Sequence, residues 1–528
     1  MSRTPLLHRL QQLYRDFVEH EATGHSIEEI AGRRLRQPGR RDFLKIAAAG
    51  ALGTLARPSR VFAAPPRIAI VGGGIAGLQA ALVLHDTGLS STVYETASRV
   101  GGRMHSDTTS WLNQQVSEHC GELIDTNHKT ILGLAKRFKI GVADLLGAQP
   151  PQSTDTNYFF GQYYSTEAAL TDFGAVYRAV KADAKAAGYP TLYTSFTPAG
   201  YALDQMSVFD WIETRVPGGH SSRMGQLLDI AYNTEYGADT TEQSALNLIY
   251  LLAFQPTGSG FAILGQSDER YHLVGGNEGL PRAIAASLPS TSVKLNTALV
   301  RIAQNGDGTF ALRFRDKSSQ FTVLADRVIL AIPFSVLRTL DYEQAGFPAI
   351  KRVAIEQLGY GSNAKLHLQF SHRLWNTPGP WGLSTGSSFA DTGYQSTWDV
   401  TRAQPGSTGI LVNYTGGSIS DSFSGGNGSK TVSVYAKNVL NQIEPVFPGL
   451  RSEWNGRATL DTPATNPFLL GSYSYWRVGQ YTLFSGVEKQ PSGHCYFAGE
   501  HCSTDFQGFM EGGAQEGERA ATEVIDSL

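Results

Sequence analysis

An α/β fold is predicted for this chain from a run of neighbouring features that begins at residue 67. Residues 67–71 form a short β-branched apolar run, which is typical of a buried parallel strand. A glycine-rich turn at 72–77 follows at once, and the alanine-rich segment 78–84 has helical character. A second strand is predicted at 91–95. Strand, glycine turn, helix and strand in this order predict a Rossmann-type domain that binds a dinucleotide.

The glycine turn has the spacing that a bound pyrophosphate requires. Gly72 permits the tight turn, Gly74 lets a phosphate approach the backbone, and Gly77 lets the helix pack on the strand. Glu95 ends the second strand, where a carboxylate can accept hydrogen bonds from a ribose. The residues predicted to contact the dinucleotide here are Gly72, Gly74, Ile75, Ala76, Gly77 and Glu95.

The composition narrows the class of protein. With 528 residues, 41% hydrophobic and 17% charged, the chain is long enough for two intergrown domains. A net charge of −3 and the lack of a basic stripe argue against a nucleic acid partner. The three cysteines are not spaced as zinc ligands, so we expect no metal site. A single Cys495–Cys502 disulfide remains open if the protein is exported.

Residues 1–66 are predicted to be an extension with an export signal. Arg40-Arg41 precedes a short apolar run at 46–55 and small residues at 61–64, which together resemble a Tat (twin-arginine) signal. We therefore expect a periplasmic or secreted protein that uses the Tat machinery. Apolar residues at helical spacing in 6–18 leave the alternative of a structural extension, in which case the protein is cytoplasmic.

The segment Arg99-Val100-Gly101-Gly102-Arg103 resembles the second glycine motif of the flavin amine oxidase family. The resemblance continues to about residue 526 and implies FAD as the cofactor. It also implies a cofactor-binding role for a further set of residues, which lie in or near segments that match the family: Arg99, Gly101, Gly102, Arg103, Gly121, Glu122, Leu123, Leu299, Gly499, Glu500, Gly508, Phe509 and Met510.

The family's discontinuous domain organisation is expected here too. The resemblance implies an FAD-binding domain formed by residues 67–125, 270–345 and 455–528. An α+β substrate-binding domain would then comprise a helix-rich stretch, 126–269, and a strand-rich stretch, 346–454. Within the latter, residues 365–370 alternate as in a half-buried strand, and the Gly/Ser-rich patch 416–429 predicts an exposed loop.

Three residues match catalytic positions of the family. Lys365 resembles the lysine that holds a water against the flavin N5 atom, while Tyr481 and Phe509 resemble the two aromatic walls around the substrate amine. Mammalian monoamine oxidases carry a flavin-linked cysteine just before the first of these aromatic residues. Gln480 stands at the position matched to it, so we expect FAD to be bound without a covalent link.

The resemblance implies oxidation of a C–N bond to an imine, which hydrolyses to a carbonyl compound and ammonia or an amine. Electrons would pass to O2, giving H2O2, or to a periplasmic carrier. An amine is slightly favoured as substrate, with Glu122 or Asp125 available to bind the second amine of a diamine. The alternative, an L-amino-acid oxidase, needs a cation for the carboxylate, and Arg477 is the candidate. A non-catalytic flavin-binding protein is a more distant alternative. A second copy of the chain, in a homodimer, is a further expected partner.

Overall fold

The computed structural model describes residues 65–253 and 268–528. The predicted extension with its Tat-like signal therefore lies outside the described residues. Helices and strands are mixed along the chain and include a parallel sheet, which confirms the α/β prediction. No helix within the described ranges is long and apolar enough to cross a membrane.

The strands are β1 (Ile68–Val71), β2 (Ser91–Tyr94), β3 (Ser106–Asp107), β4 (Ser117–Glu118), β5 (Val142–Asp144), β6 (Thr154–Phe159), β7 (Gln162–Tyr163), β8 (Tyr271–Leu273), β9 (Val293–Lys294), β10 (Ala298–Gln304), β11 (Phe310–Arg315), β12 (Gln320–Ala325), β13 (Arg327–Leu330), β14 (Gly359–Tyr360), β15 (Asn363–Phe370), β16 (Ser384–Ala390), β17 (Gln395–Asp399), β18 (Gly409–Gly416), β19 (Trp454–Asp461), β20 (Ser474–Tyr475) and β21 (Cys495–Phe497).

The helices are α1 (Ile75–Asp86), α2 (Lys129–Arg137), α3 (Thr166–Ala187), α4 (Pro198–Asp204), α5 (Val208–Arg215), α6 (Arg223–Tyr236), α7 (Ala245–Ala253), α8 (Gly279–Ser287), α9 (Phe334–Leu337), α10 (Ala349–Gln357), α11 (Gly417–Asp421), α12 (Ser429–Ile443), α13 (Leu450–Glu453), α14 (Gln480–Phe484) and α15 (Met510–Asp526). Short 3-10 turns occur at Leu112–Gln114, Gly219–Ser221, Leu374–Asn376, Pro463–Thr465 and Glu500–Cys502.

A five-stranded parallel sheet forms the first layer, in the order β21-β13-β1-β2-β9. β1 lies at its centre and buries both faces, since Ile68 and Ile70 join one hydrophobic core while Ala69 and Val71 join another. Double burial explains why the strand has a continuous apolar run. The order of the strands reverses beside β1, so the glycine turn that follows it lies at a topological switch point, where ligands bind in such sheets.

A seven-stranded sheet forms the second layer, in the order β19-β15-β18-β17-β16-β6-β7. β15 carries Lys365, and all eight of its residues are buried. The prediction of a half-buried strand is therefore wrong. Ala364, Leu366 and Leu368 pack into the hydrophobic core beside helix α12, while the polar side chains alternate to the other face, where protein also covers them. Alternation distinguished the two faces but did not reveal that both are covered.

Two expected segments differ in detail. β19, Trp454–Asp461, pairs with β15 in the seven-stranded sheet, so the first residues of the expected segment 455–528 belong to the second layer. The patch 416–429 is not simply an exposed loop, because it contains α11 and ends on the first residue of α12. Gly417 has a positive φ of 56°, and a side chain there would collide with Asp239. This glycine therefore serves a tight contact and does not mark a flexible linker.

Helices α3 to α7 form a separate layer around a core of their own, which contains Trp211, Phe173 and Tyr232. Tyr481, Phe506 and Phe509 pack against the edge of this core. The helical layer thus meets the closing segment of the chain where it approaches the site described below.

Candidate active site

One elongated cavity of about 810 Å³ runs between the two sheets. Its volume is in the range expected for the binding site of a large ligand. Nearly all residues predicted to bind the cofactor line this cavity, and the exception is Gly77. We call the part of the cavity lined by the glycine turn and Leu299 its first end. The part lined by Lys365 and Phe509 is called its catalytic end.

The two glycine segments face each other across the first end of the cavity. The Gly101 N–H donates to the Gly73 carbonyl at 2.8 Å, which holds the segments together. A side chain at Gly77 would lie 2.0 Å from the Gly72 carbonyl oxygen, so Gly77 allows α1 to pack on β1. At Gly74, by contrast, none of the described residues other than its chain neighbours has an atom within 4 Å of the place that a Cβ would take. The backbone there is open to the cavity, as a bound pyrophosphate requires.

Glu95 supports the turn from the neighbouring strand. Its two carboxylate oxygens accept the N–H groups of Gly73 at 2.6 Å and Ala97 at 2.7 Å. Burial raises the pKa of Glu95, and these two backbone donors partly oppose that rise. The carboxylate still lines the cavity and retains lone pairs for a ribose diol.

Arg99 and Arg103 line the cavity and also form contacts within the protein. Arg99 donates to the Gly102 carbonyl at 2.7 Å and fixes the second glycine segment. Arg103 forms an ion pair with Glu500 at 2.8 Å, and this guanidinium lowers the pKa of Glu500 against the opposing effect of burial. Glu500 also accepts the Gly508 N–H at 2.8 Å, so it connects the second glycine segment, through Arg103, to the C-terminal segment.

The N-termini of two helices, α1 and α15, point towards the cavity. Ile75, Met510 and Gly513 line it. The helices approach closely because Gly517 lies against Ala76, where a Cβ would come within 2.1 Å of the Ala76 carbonyl oxygen. Their free N–H groups and positive dipole ends favour negative charge in the cavity.

Lys365 forms the centre of the catalytic end. Its ammonium group donates to Glu122 at 2.7 Å, to the Cys120 carbonyl at 2.8 Å and to the Glu118 carbonyl at 3.2 Å. The three acceptors match its three N–H bonds, so a water bridge of the kind implied by the resemblance would replace one of them. Lys365 lowers the pKa of Glu122 to about 2, and the indole of Trp398 helps by donating to the same carboxylate at 3.0 Å.

The tyrosine that lines the large cavity together with Phe509 is not the one predicted. Tyr481 does not line the large cavity but a smaller one of about 90 Å³, and its hydroxyl donates to Asn247 at 3.1 Å. Tyr473 takes its place in the large cavity, with its hydroxyl 2.6 Å from that of Tyr414. Helix α14 turns the Tyr481 side chain towards the core of the helical layer, and Tyr481 lines the smaller cavity together with Phe509.

Because Tyr473 and not Tyr481 lines the large cavity, the residue to compare with the flavin-linked cysteine also changes. Ser472, and not Gln480, now stands directly before the tyrosine that lines the cavity. Ser472 has no thiol, so the expectation of non-covalent FAD remains, on a different residue. Cys120 is the one cysteine among the described residues that line the cavity, and burial raises its pKa to about 11, which leaves it protonated.

Two predicted substrate contacts are not in the cavity. Asp125 is fully buried behind it, where its carboxylate accepts the Glu269 N–H at 2.8 Å and lies 3.3 Å from the His128 ring nitrogen. Arg477 is exposed and donates to the Tyr475 hydroxyl at 3.3 Å. The third, Glu122, lines the cavity but is held by Lys365. Cys495 and Cys502 are free thiols, so the optional disulfide is absent from the described structure.

Sequence reasoning missed the residues that complete the catalytic end of the cavity: Asn363, Trp398, Tyr414, Tyr473 and Glu269. Asn363 lies two residues before Lys365 on β15, whereas Trp398 and Tyr414 lie on β17 and β18, where no motif surrounds them. Glu269 is 3% exposed, and neither of its carboxylate oxygens has a hydrogen-bond partner within the described part of the chain. Burial and the nearby carboxylates raise its pKa well above the ordinary value.

The cavity fits FAD on these observations. The open backbone at Gly74, the two helix N-termini and Glu95 suit a pyrophosphate and ribose, and Gly121, Leu123 and Lys365 remain for the ring system. No cluster of His, Cys, Asp or Glu within residues 65–253 and 268–528 could hold a metal ion.

Comparison with known proteins agrees with this fit. The model of the flavin containing amine oxidoreductase family matches residues 75–525. The chain belongs to this family. The resemblance found in the sequence is thereby confirmed, and the protein is an oxidoreductase of the amine oxidase type with FAD as its cofactor.

Relatives of this amine oxidase family protein cover nearly the whole chain. It is 25% identical over 484 residues to the flavin-containing amine oxidase of Danio rerio, which covers 87% of this chain and 86% of the relative. It is 22% identical over 522 residues to the L-amino-acid oxidase of Pseudechis australis, with 93% and 91% coverage. Cyclohexylamine oxidase from Brevibacterium oxydans IH-35A shares the fold, with a TM-score of 0.74, 20% identity and coverage of 88% and 100%.

Proposed function

We propose that this protein oxidises the C–N bond of an amine, and that amines rather than L-amino acids are its substrates. The imine that results is hydrolysed to a carbonyl compound, with release of ammonia or an amine. Two electrons and two protons pass to O2, giving H2O2; a periplasmic electron carrier is the alternative acceptor. The family and its curated relatives support oxidation of amines in general.

The preference for amines over L-amino acids rests on one observation: the cationic side chains that line the cavity are already engaged in contacts with the protein. An amino acid would bring a carboxylate, which needs a buried cation as its partner. The arginines among the described lining residues are Arg99, Arg103 and Arg315. The first two are hydrogen-bonded to the glycine segment and to Glu500, and Arg315 lies on β11, paired with the strand of Leu299. Lys365 is occupied by Glu122.

The catalytic end also suits an amine sterically. Tyr473 and Phe509 would flank a neutral amine, while Trp398 and Tyr414 would exclude water. FAD supplies the acceptor for the hydrogen and electrons that leave the substrate carbon. The fixed positive charge of Lys365 beside the Cys120–Glu122 backbone would stabilise negative charge that develops nearby.

We also propose export through the Tat pathway to the periplasm or beyond. The support is the sequence at Arg40-Arg41 and the apolar segment that follows, which lie outside the described residues. Replacing Arg40 and Arg41 by Lys in the full chain and fractionating cells tests it. Loss of the protein from the periplasm is expected, and an unchanged distribution would contradict the proposal.

Anaerobic mixing with a panel of amines and all L-amino acids tests the chemistry. Amines are expected to bleach the flavin absorbance, and readmitted O2 to restore it with one H2O2 per turnover. Bleaching by L-amino acids alone would show an L-amino-acid oxidase. Bleaching by neither would point to a flavin-binding protein without this activity.

A further inference from the structure

Glu269 is a buried carboxyl group that faces the cavity without a partner. It is 3% exposed, lines the cavity, and finds no hydrogen-bond partner for either oxygen among the residues that the structure describes. Buried carboxyl groups are almost always hydrogen-bonded or paired, because leaving them unpaired costs several kcal/mol. Its backbone has a φ of 45°, which is uncommon for a residue other than glycine and concentrates at functional sites. A bound ligand is the missing partner that these observations indicate.

Contacts within the protein connect Glu269 to the aromatic residues that are proposed to flank the substrate amine. Its N–H is bonded to Asp125, and Asp125 contacts His128, whose ring centre lies 5.1 Å from that of Phe509. On the other side, its charge interacts with Glu235. The adjacent Thr234 carbonyl accepts the Tyr473 hydroxyl at 3.3 Å. Glu269 is thus linked through neighbouring residues to both Phe509 and Tyr473, and all three line the same cavity.

The charges around Glu269 favour a cation. Asp125, Glu235 and Asp155 contribute negative charge, and Arg402 opposes them. The Nε of Arg402 donates to the Asp399 carbonyl at 2.9 Å, so its guanidinium is held by the backbone there. A positively charged ligand group would ionise Glu269 and donate charge-assisted hydrogen bonds to both of its oxygens.

We propose that Glu269 binds a second, non-reacting positive charge of the substrate, so that the substrates are diamines or longer polyamines. This inference rests on the proposed oxidation of amines and assigns its specificity. Glu122 is not available for this role because Lys365 and Trp398 hold it. Glu95 and Glu500, the further carboxylates of the cavity, are held by the Gly73 and Ala97 N–H groups and by Arg103. The reacting amine would be neutral between Tyr473 and Phe509, while the distal ammonium would pair with Glu269.

The experiment uses the FAD-loaded protein and three matched probes: a linear diamine, the monoamine of equal length, and the N-acetyl derivative of the diamine. The apparent Kd of each is taken from the concentration dependence of anaerobic flavin reduction. The wild-type protein is expected to bind the diamine at least about 10-fold more tightly than either single-charge probe, since a charge-assisted contact contributes this much. A series of diamine lengths should show an optimum set by the distance to Glu269.

Glu269→Gln keeps the shape of the side chain and removes its charge. The ratio of monoamine to diamine Kd is expected to fall at least about 10-fold in this variant. Glu343→Gln, which removes an exposed charge outside the cavity, should leave the ratio unchanged. Equal affinity of the wild-type protein for all three probes would overturn the inference while leaving amine oxidation intact. Failure of every amine to bleach the flavin would instead overturn the proposed function. If Glu269→Gln does not load FAD, the wild-type probe series alone still decides.

Discussion

At the scale of single residues, the pair Lys365–Glu122 gives the active site its fixed charge. Both side chains are buried, and Glu122 has a pKa of about 2, below the ordinary 4.5. A depressed pKa means that the ionised carboxylate stabilises the fold above about pH 4.5, and that this stabilisation is lost as the pH falls towards about 2.

This shift predicts the acid response of stability. The free energy of unfolding of the wild type, minus that of Glu122→Gln, is expected to decrease by about 3 kcal/mol between about pH 5 and about pH 2. Urea titrations of both proteins at several pH values measure the difference. Parallel pH profiles would mean that Glu122 has an ordinary pKa in the folded protein.

Because Tyr473 lines the large cavity and Tyr481 does not, substitutions of these two tyrosines are expected to have different effects. Tyr473→Ala should lower the limiting rate of flavin reduction at least about 10-fold, because one wall around the amine is lost. Tyr481→Ala should lower the free energy of unfolding by about 3–5 kcal/mol, because its ring packs against the helical core. Stopped-flow reduction and denaturant unfolding of both variants measure these effects. A reversed pattern would restore Tyr481 as the aromatic wall.

At the scale of elements, the strand–turn–helix unit β1–α1 assigns different tasks to its glycines. Gly74 has an ordinary φ of −73°, which alanine adopts freely, and its Cβ would point into open cavity. Gly77 faces the Gly72 carbonyl with no room for a methyl group. One position serves the cofactor, and the other serves the packing of the helix.

Alanine at these two positions should therefore have opposite consequences. Gly74→Ala is expected to fold with near-normal stability but to raise the Kd for FAD at least about 10-fold, because the methyl group occupies the place of a phosphate. Gly77→Ala is expected to lose at least about 1–3 kcal/mol of stability from overpacking. Flavin fluorescence titration and thermal unfolding of the apo forms measure both. Loss of FAD affinity in Gly77→Ala alone, with Gly74→Ala unaffected, would contradict this assignment.

At the scale of the whole molecule, the cofactor cavity is shared between the two sheets. Gly72 and Glu95 reach it from the five-stranded sheet, and Lys365 and Trp398 reach it from the seven-stranded sheet. A ligand that contacts both layers stabilises their packing, since binding to the folded state alone adds to the free energy of unfolding.

FAD is accordingly predicted to bind reversibly and to stabilise the whole protein. Acid precipitation should leave all the yellow colour in the supernatant, as Ser472 offers no thiol to the flavin. Adding FAD to the apo protein at 100 times its Kd should increase the free energy of unfolding by about 2.7 kcal/mol. Flavin that stays in the acid pellet would show a covalent bond.

The sequence by itself determined the cofactor-binding half of this protein. The turn at Gly72–Gly77, Glu95 and the Arg99–Arg103 segment are local: each needs a few neighbouring residues in a fixed conformation, so spacing along the chain is sufficient to find them. The predicted cofactor residues consequently line one cavity, apart from Gly77, whose task is packing.

Only the tertiary structure decided the substrate half. Tyr473, Trp398, Tyr414 and Glu269 come together from a loop, two strands of one sheet and the approach to another strand, and no local pattern marks any of them. Arg477 and Tyr481 were plausible in the sequence but face the surface and the helical core. The physical reason is that contacts between residues distant in the chain depend on how whole layers pack, whereas a phosphate-binding turn depends on its own backbone.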